Sequence, residues 1–147
     1  MTAPAEDACI LCRLIDGRLE TSRVYEDQDV VAFMDYQPVN PGHVLIAPRR
    51  HAPLLDDLDE TTGVAVWRAG QRLARALRRS ALRCEGVNLL LSDGEAAFQE
   101  IPHVHLHVFP RYAGDAFRLS ADWRPREREE LDDAAAQVRG GLATLLT

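Results

Sequence analysis

Apolar and polar positions first alternate with a period of two, then repeat with a period near 3.6, then return to two, and this succession predicts an α+β domain. Val24 to Glu26 and Asp29 to Met34 carry β-branched and aromatic bulk at Val30, Val31 and Phe33 around a tight Asp27-Gln28 turn, the pattern of a hairpin. Gln37-Pro38-Val39-Asn40-Pro41-Gly42 concentrates turn-forming residues, and His43 to Ala47 after it is a short apolar strand closed by Pro48. Leu58, Thr62, Ala65, Val66, Ala69, Leu73 and Leu77 recur at three- and four-residue steps, which predicts one long helix capped by Asp57 with Glu60. Arg68, Arg72, Arg75 and Arg79 fall on its other faces. Gly86 to Leu91 and Val104 to Phe109 are again strands, separated by the loop from Ser92 to Glu100, and an amphiphilic helix is predicted from about Pro125 to Gly140. Most connections are too short for parallel crossovers. The expected architecture is a five-stranded antiparallel sheet with one long helix and a shorter C-terminal helix.

Composition narrows the class. The 147 residues, 46% hydrophobic and 27% charged, suit a single globular domain over 1–147 with a core of ordinary size. No apolar run approaches the roughly 18 to 20 residues of a bilayer span, and Met1 to Asp7 lack the basic start and apolar stretch of a signal peptide. A cytoplasmic protein with no membrane partner is expected. The formal net charge of −6 argues against nucleic acid as a partner, because sequence-independent binding relies on many cations displacing counterions. A small anion needs only a local donor cluster. Trp67 and Trp123 read as packing residues, and Arg124, Arg126 and Arg128 as a solvated face.

The most informative stretch is Pro102-His103-Val104-His105-Leu106-His107-Val108-Phe109-Pro110. Strand geometry places His103, His105 and His107 on one face and Val104, Leu106 and Val108 toward the core. Three readings are open. A half-exposed strand that merely happens to be rich in histidine is disfavoured, since three imidazoles on one face repel when protonated and solve no packing problem. A catalytic metal site with several histidine ligands is the second. In the third, one imidazole is a nucleophile toward phosphorus, which requires an unprotonated ring nitrogen, a partner fixing its tautomer, and donors around the phosphate. Gln99, Ser92, His107 and backbone amides supply such donors, and Gly94 lets the loop turn closely about a ligand.

Cys9-Ile10-Leu11-Cys12 is a C-x-x-C pair, and Cys84 stands apart as a small buried side chain. An odd, sparse set of three cysteines does not suit a disulfide framework. Redox chemistry of the thioredoxin type would open a helix in a parallel βαβ setting, which the strands do not suggest. Two buried structural thiols and a tetrahedral zinc site completed by histidines both remain open.

The stretch His-Val-His-Leu-His-Val-Phe at 103–109 resembles the H-φ-H-φ-H-φ-φ signature of the histidine triad (HIT) superfamily. The likeness extends from Cys9 through Tyr25-Glu26-Asp27, Val31-Ala32-Phe33-Met34-Asp35, Pro41-Gly42-His43-Val44-Leu45 and Pro48-Arg49-Arg50-His51 to Pro110-Arg111. The resemblance implies a HIT-like fold and a nucleotide hydrolase or transferase acting at the α-phosphate of an AMP-type purine nucleotide, such as a phosphoramidate. His105 would become nucleotidylated and be freed by water. His107 would contact the same phosphate, the carbonyl of His103 would hold the other ring nitrogen of His105, and His43 would support the triad. Asp35 would bind the ribose hydroxyls, with Ser92 and Gln99 flanking the α-phosphate. Ser92 stands where relatives often carry Asn or Gln, which implies a water-mediated contact, and Phe98 replaces a small residue and narrows the leaving-group side. A resembling C-x-x-C pair in bacterial relatives and in galactose-1-phosphate uridylyltransferases implies a structural zinc on Cys9, Cys12, His51 and His103. Such a zinc would tie segment 1–20 to the active strand and take no part in the chemistry, and 124–147 would form a C-terminal helical tail. A homodimer is implied as well. Dinucleoside polyphosphate hydrolysis, or nucleotide binding with little turnover, are the alternative functions.

Overall fold

In a computed structural model that describes residues 6–146, the chain divides into two compact units, Met1–Phe117 and Arg118–Thr147. The first opens with a short helix α1 (Ile10–Ile15) that the periodicity did not predict. Strands β1 (Arg23–Glu26) and β2 (Val30–Met34) form the expected hairpin. Its turn is closed by Asp27, whose Oδ1 accepts from the amides of Asp29 and Val30 at 2.8 and 2.9 Å, the local bond that favours Asp in turns. Strand β3 (Val44–Pro48) lies antiparallel to β2 from Val30 opposite Pro48 to Met34 opposite Val44. Helix α2 (Glu60–Arg79) then leads to β4 (Gly86–Leu91), and a long loop leads on to β5 (Leu106–Arg111). The five strands are ordered β1-β2-β3-β5-β4, with every neighbouring pair antiparallel.

The two faces of the sheet explain why β2 and β3 are apolar throughout. Val30, Ala32, Val44, Ile46, Leu106 and Val108 pack on α2, through Ala65, Val66, Ala69, Leu73 and Leu77. Val31, Phe33, Leu45 and Ala47 alternate with them onto the opposite face, where they meet Cys9, Leu11, Cys12 and Ile15 of the N-terminal segment. That opposite face is the one to which His107 belongs, since it pairs in register with Leu45 and Leu90.

Several element boundaries differ from the sequence reading. The cap of α2 is Asp59, whose Oδ2 accepts from Thr62 N at 2.9 Å, and not Asp57, which instead accepts from Leu54 N at 3.0 Å in the preceding turn. Leu58 therefore lies outside the helix. Strand β5 begins at Leu106 and not Val104, because the amide of Val104 bonds to Ala52 O at 2.8 Å outside the ladder. Trp67 and Trp123 do not pack: they are 59% and 74% exposed. Cys84 is half-buried, its Sγ set against Gly86 O at 3.3 Å.

The second unit contains α3 (Arg128–Leu145), which starts three residues later than predicted and runs further, with Pro125 left outside in extended chain before the N-cap Glu127. Arg124 and Arg126 are exposed and pair with Asp122. Among the described residues no helix is long and apolar enough to cross a membrane.

Two glycines of α2 give opposite expectations. A Cβ on Gly70 would lie 2.8 Å from Leu106 Cδ2 and 3.2 Å from Leu89 Cδ2, whereas Gly63 faces open space. Gly70→Val is expected to cost about 1–3 kcal/mol by overpacking, and Gly63→Ala to add roughly 0.5–1 kcal/mol of helix propensity. Urea midpoints moving in opposite directions would confirm the packing of α2 on the sheet.

Candidate active site and metal centre

The segment Pro102–His105 lies outside the regular strand, and this local irregularity separates the first histidine of the cluster from the other two. His103 is fully buried and turns its ring toward the cysteine pair, while its Nε2–H donates to Pro48 O at 2.8 Å. A carbonyl only accepts, so the proton sits on Nε2 and the lone pair on Nδ1. That Nδ1 is 3.5 Å from Cys9 Sγ, 3.6 Å from Cys12 Sγ and 3.2 Å from His51 Nδ1, and His51 Nδ1 is 3.4 Å from Cys12 Sγ. The shared face expected for all three imidazoles is thus corrected: His103 is spent on a separate cluster.

All four donor atoms of Cys9, Cys12, His51 and His103 lie within 4.8 Å of one another. A tetrahedron with Zn–S of about 2.3 Å and Zn–N of about 2.0–2.1 Å has S···N edges of about 3.6 Å and N···N edges of about 3.3 Å. The donor spacing fits that ion. Two thiols and two imidazole nitrogens converge here, with the nitrogens 3.2 Å apart, a donor set of the kind that holds zinc. Burial and the neighbouring Cys9 push the Cys12 thiol up to about 12, whereas a coordinated thiol gives up its proton outright. Metal binding and proton release are therefore coupled here.

His105 has a different environment. Its Nδ1–H donates to the backbone carbonyl of His103 at 2.8 Å, which leaves Nε2 as the unprotonated nitrogen. His107 is oriented by a relay that begins on the backbone. The amide of Val39 donates to His43 Nδ1 at 3.0 Å, so the proton of neutral His43 sits on Nε2, and Nε2 lies 2.9 Å from His107 Nδ1. His107 accepts there and carries its own proton on Nε2. Burial pushes His107 down to about 4, with His105 and His43 adding to the effect, and burial also lowers His43 against the opposing pull of Asp35. Asp35 Oδ2 stands 3.6 Å from His43 Nε2. The rings of His105 and His107 pack at 4.9 Å, and His43 packs at 5.0 Å on Phe109. The result is one imidazole whose Nε2 is left open beside another that presents its Nε2–H.

The loop after β4 is pinned by Gln99. This buried side chain accepts from Gly94 N at 2.7 Å through Oε1, and donates from Nε2 to Pro53 O at 2.7 Å and Ile101 O at 3.0 Å. Its amide is committed to backbone. Ser92 is half-buried at the start of the loop. Phe98 is 87% exposed and, among the described residues, the one non-glycine residue with positive φ, at 69°. Sequence reasoning missed Asn40 and Asp115, two buried polar residues joined by a bond of 2.9 Å beneath the loop that carries His43. Their only sequence signal is weak: a carboxylate four residues beyond Arg111. A shallow depression of about 440 Å³ is lined by Tyr25, Asp27, Gln28, Asp29, Arg68 and Arg72, and shares no residue with the histidine cluster. Arg72, Tyr25 and Asp27 satisfy one another there.

A fold of this topology with this pairing of imidazoles defines a class, and the HIT domain model matches residues 16–114. The chain belongs to the HIT domain family. The crystal structure of a HIT family protein from Bacillus subtilis superposes with a TM-score of 0.81 at 31% identity, covering 90% of this chain and 96% of that one. A Zn-bound histidine triad family protein from Mycobacterium smegmatis is 36% identical with a TM-score of 0.73, over 93% of this chain and 99% of that one. Adenylylsulfatase HINT3 of Arabidopsis thaliana is 31% identical over 133 residues, 90% of this chain and 66% of that protein.

Two outcomes are expected. Metal analysis should find about one zinc per chain, and Cys12→Ser should lose it together with several degrees of melting temperature. Because His43 and His107 bind protons less readily when folded than at the ordinary imidazole value of 6.5, the unfolded chain takes up more protons below that pH. The contribution of His107 to stability is complete above pH 6.5 and is lost as pH falls toward about 4, and His43 acts in the same direction. The urea midpoint should therefore drop with acidification, and drop less in His107→Gln.

Proposed function

We propose that this protein is a nucleotidyl hydrolase that cleaves at the α-phosphate of adenosine-type nucleotides through a His105 intermediate. The observation that carries the reading is the bond from His105 Nδ1 to His103 O, which leaves the Nε2 lone pair free for attack. In the first step Nε2 bonds to the α-phosphorus and the bond from phosphorus to the leaving group breaks. The leaving group departs with its electron pair and takes a proton from solvent, which receives one back from the attacking water of the second step. His107 Nε2–H donates to a phosphoryl oxygen and offsets the charge that develops there. Water then attacks the same phosphorus, the P–N bond to His105 breaks, and a nucleoside monophosphate is released with the imidazole restored.

Asp35 accepts from the ribose hydroxyls, Ser92 reaches the phosphate through water, and Gln99 serves that phosphate mainly by shaping the loop whose amides face it. Phe98 narrows the leaving-group side and favours small leaving groups over a second nucleotide. The name of the Arabidopsis relative, an adenylylsulfatase, supports an adenylyl substrate. Zinc on Cys9, Cys12, His51 and His103 holds the N-terminal segment in place, and the chemistry rests on the protein's own imidazoles. The working form is a cytoplasmic homodimer.

The test is AMP release from adenosine 5′-phosphoramidate. Native protein should turn it over, His105→Ala should lose on the order of 10³-fold or more, and His107→Ala about 10²- to 10³-fold. Intact mass after rapid acid-free quenching should show one nucleotidyl adduct that His105→Ala lacks. Tight stoichiometric AMP binding with neither turnover nor adduct, on phosphoramidates, nucleotide sugars and dinucleoside polyphosphates alike, would replace this reading with a binding role.

A further inference from the structure

The turn between β2 and β3 delivers His43 to His107, and its geometry is set from outside the turn. Locally, Asp35 N bonds to His43 O at 2.9 Å, His43 N to Asn40 O at 3.1 Å, and Val39 N to His43 Nδ1 at 3.0 Å. The remaining anchor is the Asn40 side chain, 5% exposed, whose Nδ2 uses its two hydrogens on Pro110 O and Asp115 Oδ2, both at 2.9 Å. Asp115 is itself over-determined. Arg111 grips it through Nε to Oδ2 at 2.6 Å and Nη2 to Oδ1 at 2.9 Å, the amide of Tyr112 adds 3.3 Å, and Arg111 Nη1 is tied to Asn88 Oδ1 at 2.7 Å. Such a bidentate grip on a buried carboxylate is a stiff support. Gly42 completes the docking: with φ at 106°, a side chain there would be strained and its Cβ would sit 3.2 Å from Pro110 Cγ and 2.9 Å from Leu82 Cδ1.

We propose that Asn40 and Asp115 are positioning residues that hold His43, and through it His107, in the single tautomer that presents a proton to the substrate phosphate. This rests on the nucleotidyl-transfer reading for its effect on rate, while the tautomer itself is a property of the free protein. The physical step is short. Asn40 directly follows Val39, so the clamp on Asn40 aims the Val39 amide at His43 Nδ1. Without that donor, the His43 proton is free to sit on Nδ1, which turns the Nε2 lone pair toward His107 Nδ1. His107 must then move its own proton from Nε2 to Nδ1, and the donor facing the phosphate is lost.

Asn40→Ala removes both bonds, and Asp115→Asn keeps the shape while removing the charge that Arg111 holds. Long-range ¹H–¹⁵N spectra of the ring nitrogens should show His43 and His107 each protonated at Nε2 in the native protein and averaged between nitrogens in both variants. With the phosphoramidate substrate, kcat should fall about 10- to 100-fold with KM within about twofold. In a His43→Ala background the Asn40→Ala change should alter kcat by less than about twofold, because the two act through one path. Zinc content and far-ultraviolet circular dichroism identify any variant that fails to fold, in which case the isosteric Asp115→Asn decides alone. Single native tautomers retained in the folded variants, or a kcat loss that multiplies fully with His43→Ala, overturns the proposal. A native protein that shows the tautomers but no turnover refutes the nucleotidyl-transfer reading and leaves the positioning of His43 standing.

Discussion

The residue on which both halves of the site depend is His103, used in two directions at once. Its ring points into the cysteine cluster and is locked there by the bond from Nε2 to Pro48 O, while its carbonyl points the other way and receives the Nδ1–H of His105. That carbonyl shares a planar peptide unit with the amide of Val104, which bonds to Ala52 O at 2.8 Å, so the bond that fixes the amide also fixes the acceptor. Ala52 directly follows His51, so order in the cluster of Cys9, Cys12, His51 and His103 reaches the backbone that orients His105. The second imidazole of the pair is fixed independently, by the turn between β2 and β3.

This division explains a departure from simple strand geometry. Three histidines in alternation suggest three side chains in one row, yet a row would leave His105 without a backbone acceptor beside its Nδ1. By entering the sheet only at Leu106, the chain gains two irregular residues in which the ring of His103 can diverge and its carbonyl can turn toward His105. The amide of Val104, withdrawn from the ladder, is satisfied by Ala52, the residue directly after His51. The amide of His103 likewise bonds to Ile101 O at 2.8 Å, and the Ala52 contact brings His51 alongside the cluster.

Much of the architecture was legible because the sheet is covered on both faces. The apolar runs of β2 and β3 and the three- and four-residue repeat of α2 are direct consequences of packing, and Val31, Ile46, Ala69 and Leu73 are buried as their spacing implies. The short helix α1 was not legible, since six residues carry too little periodicity to separate from a loop. The cap moved from Asp57 to Asp59 because three acidic residues in four positions offer several equivalent starts, and only the backbone decides among them. In the site, motif resemblance grouped Cys9, Cys12, His51 and His103, which are indeed adjacent in space. It was blind to Asn40 and Asp115, whose partnership spans 75 residues and leaves no local pattern.

Burial holds His43 and His107 toward the neutral form, and this has a consequence for how a ligand arrives. Hydrogen bonds from uncharged rings and backbone amides act over a few ångströms, so they hold a phosphate once it is seated but exert little pull from a distance. The chain as a whole carries a formal charge of −6, and a nucleotide anion approaches it against a weak repulsive field. Added salt screens that repulsion. Encounter with an anionic nucleotide should therefore quicken slightly as ionic strength rises, the reverse of the behaviour of a phosphate site built on lysine and arginine.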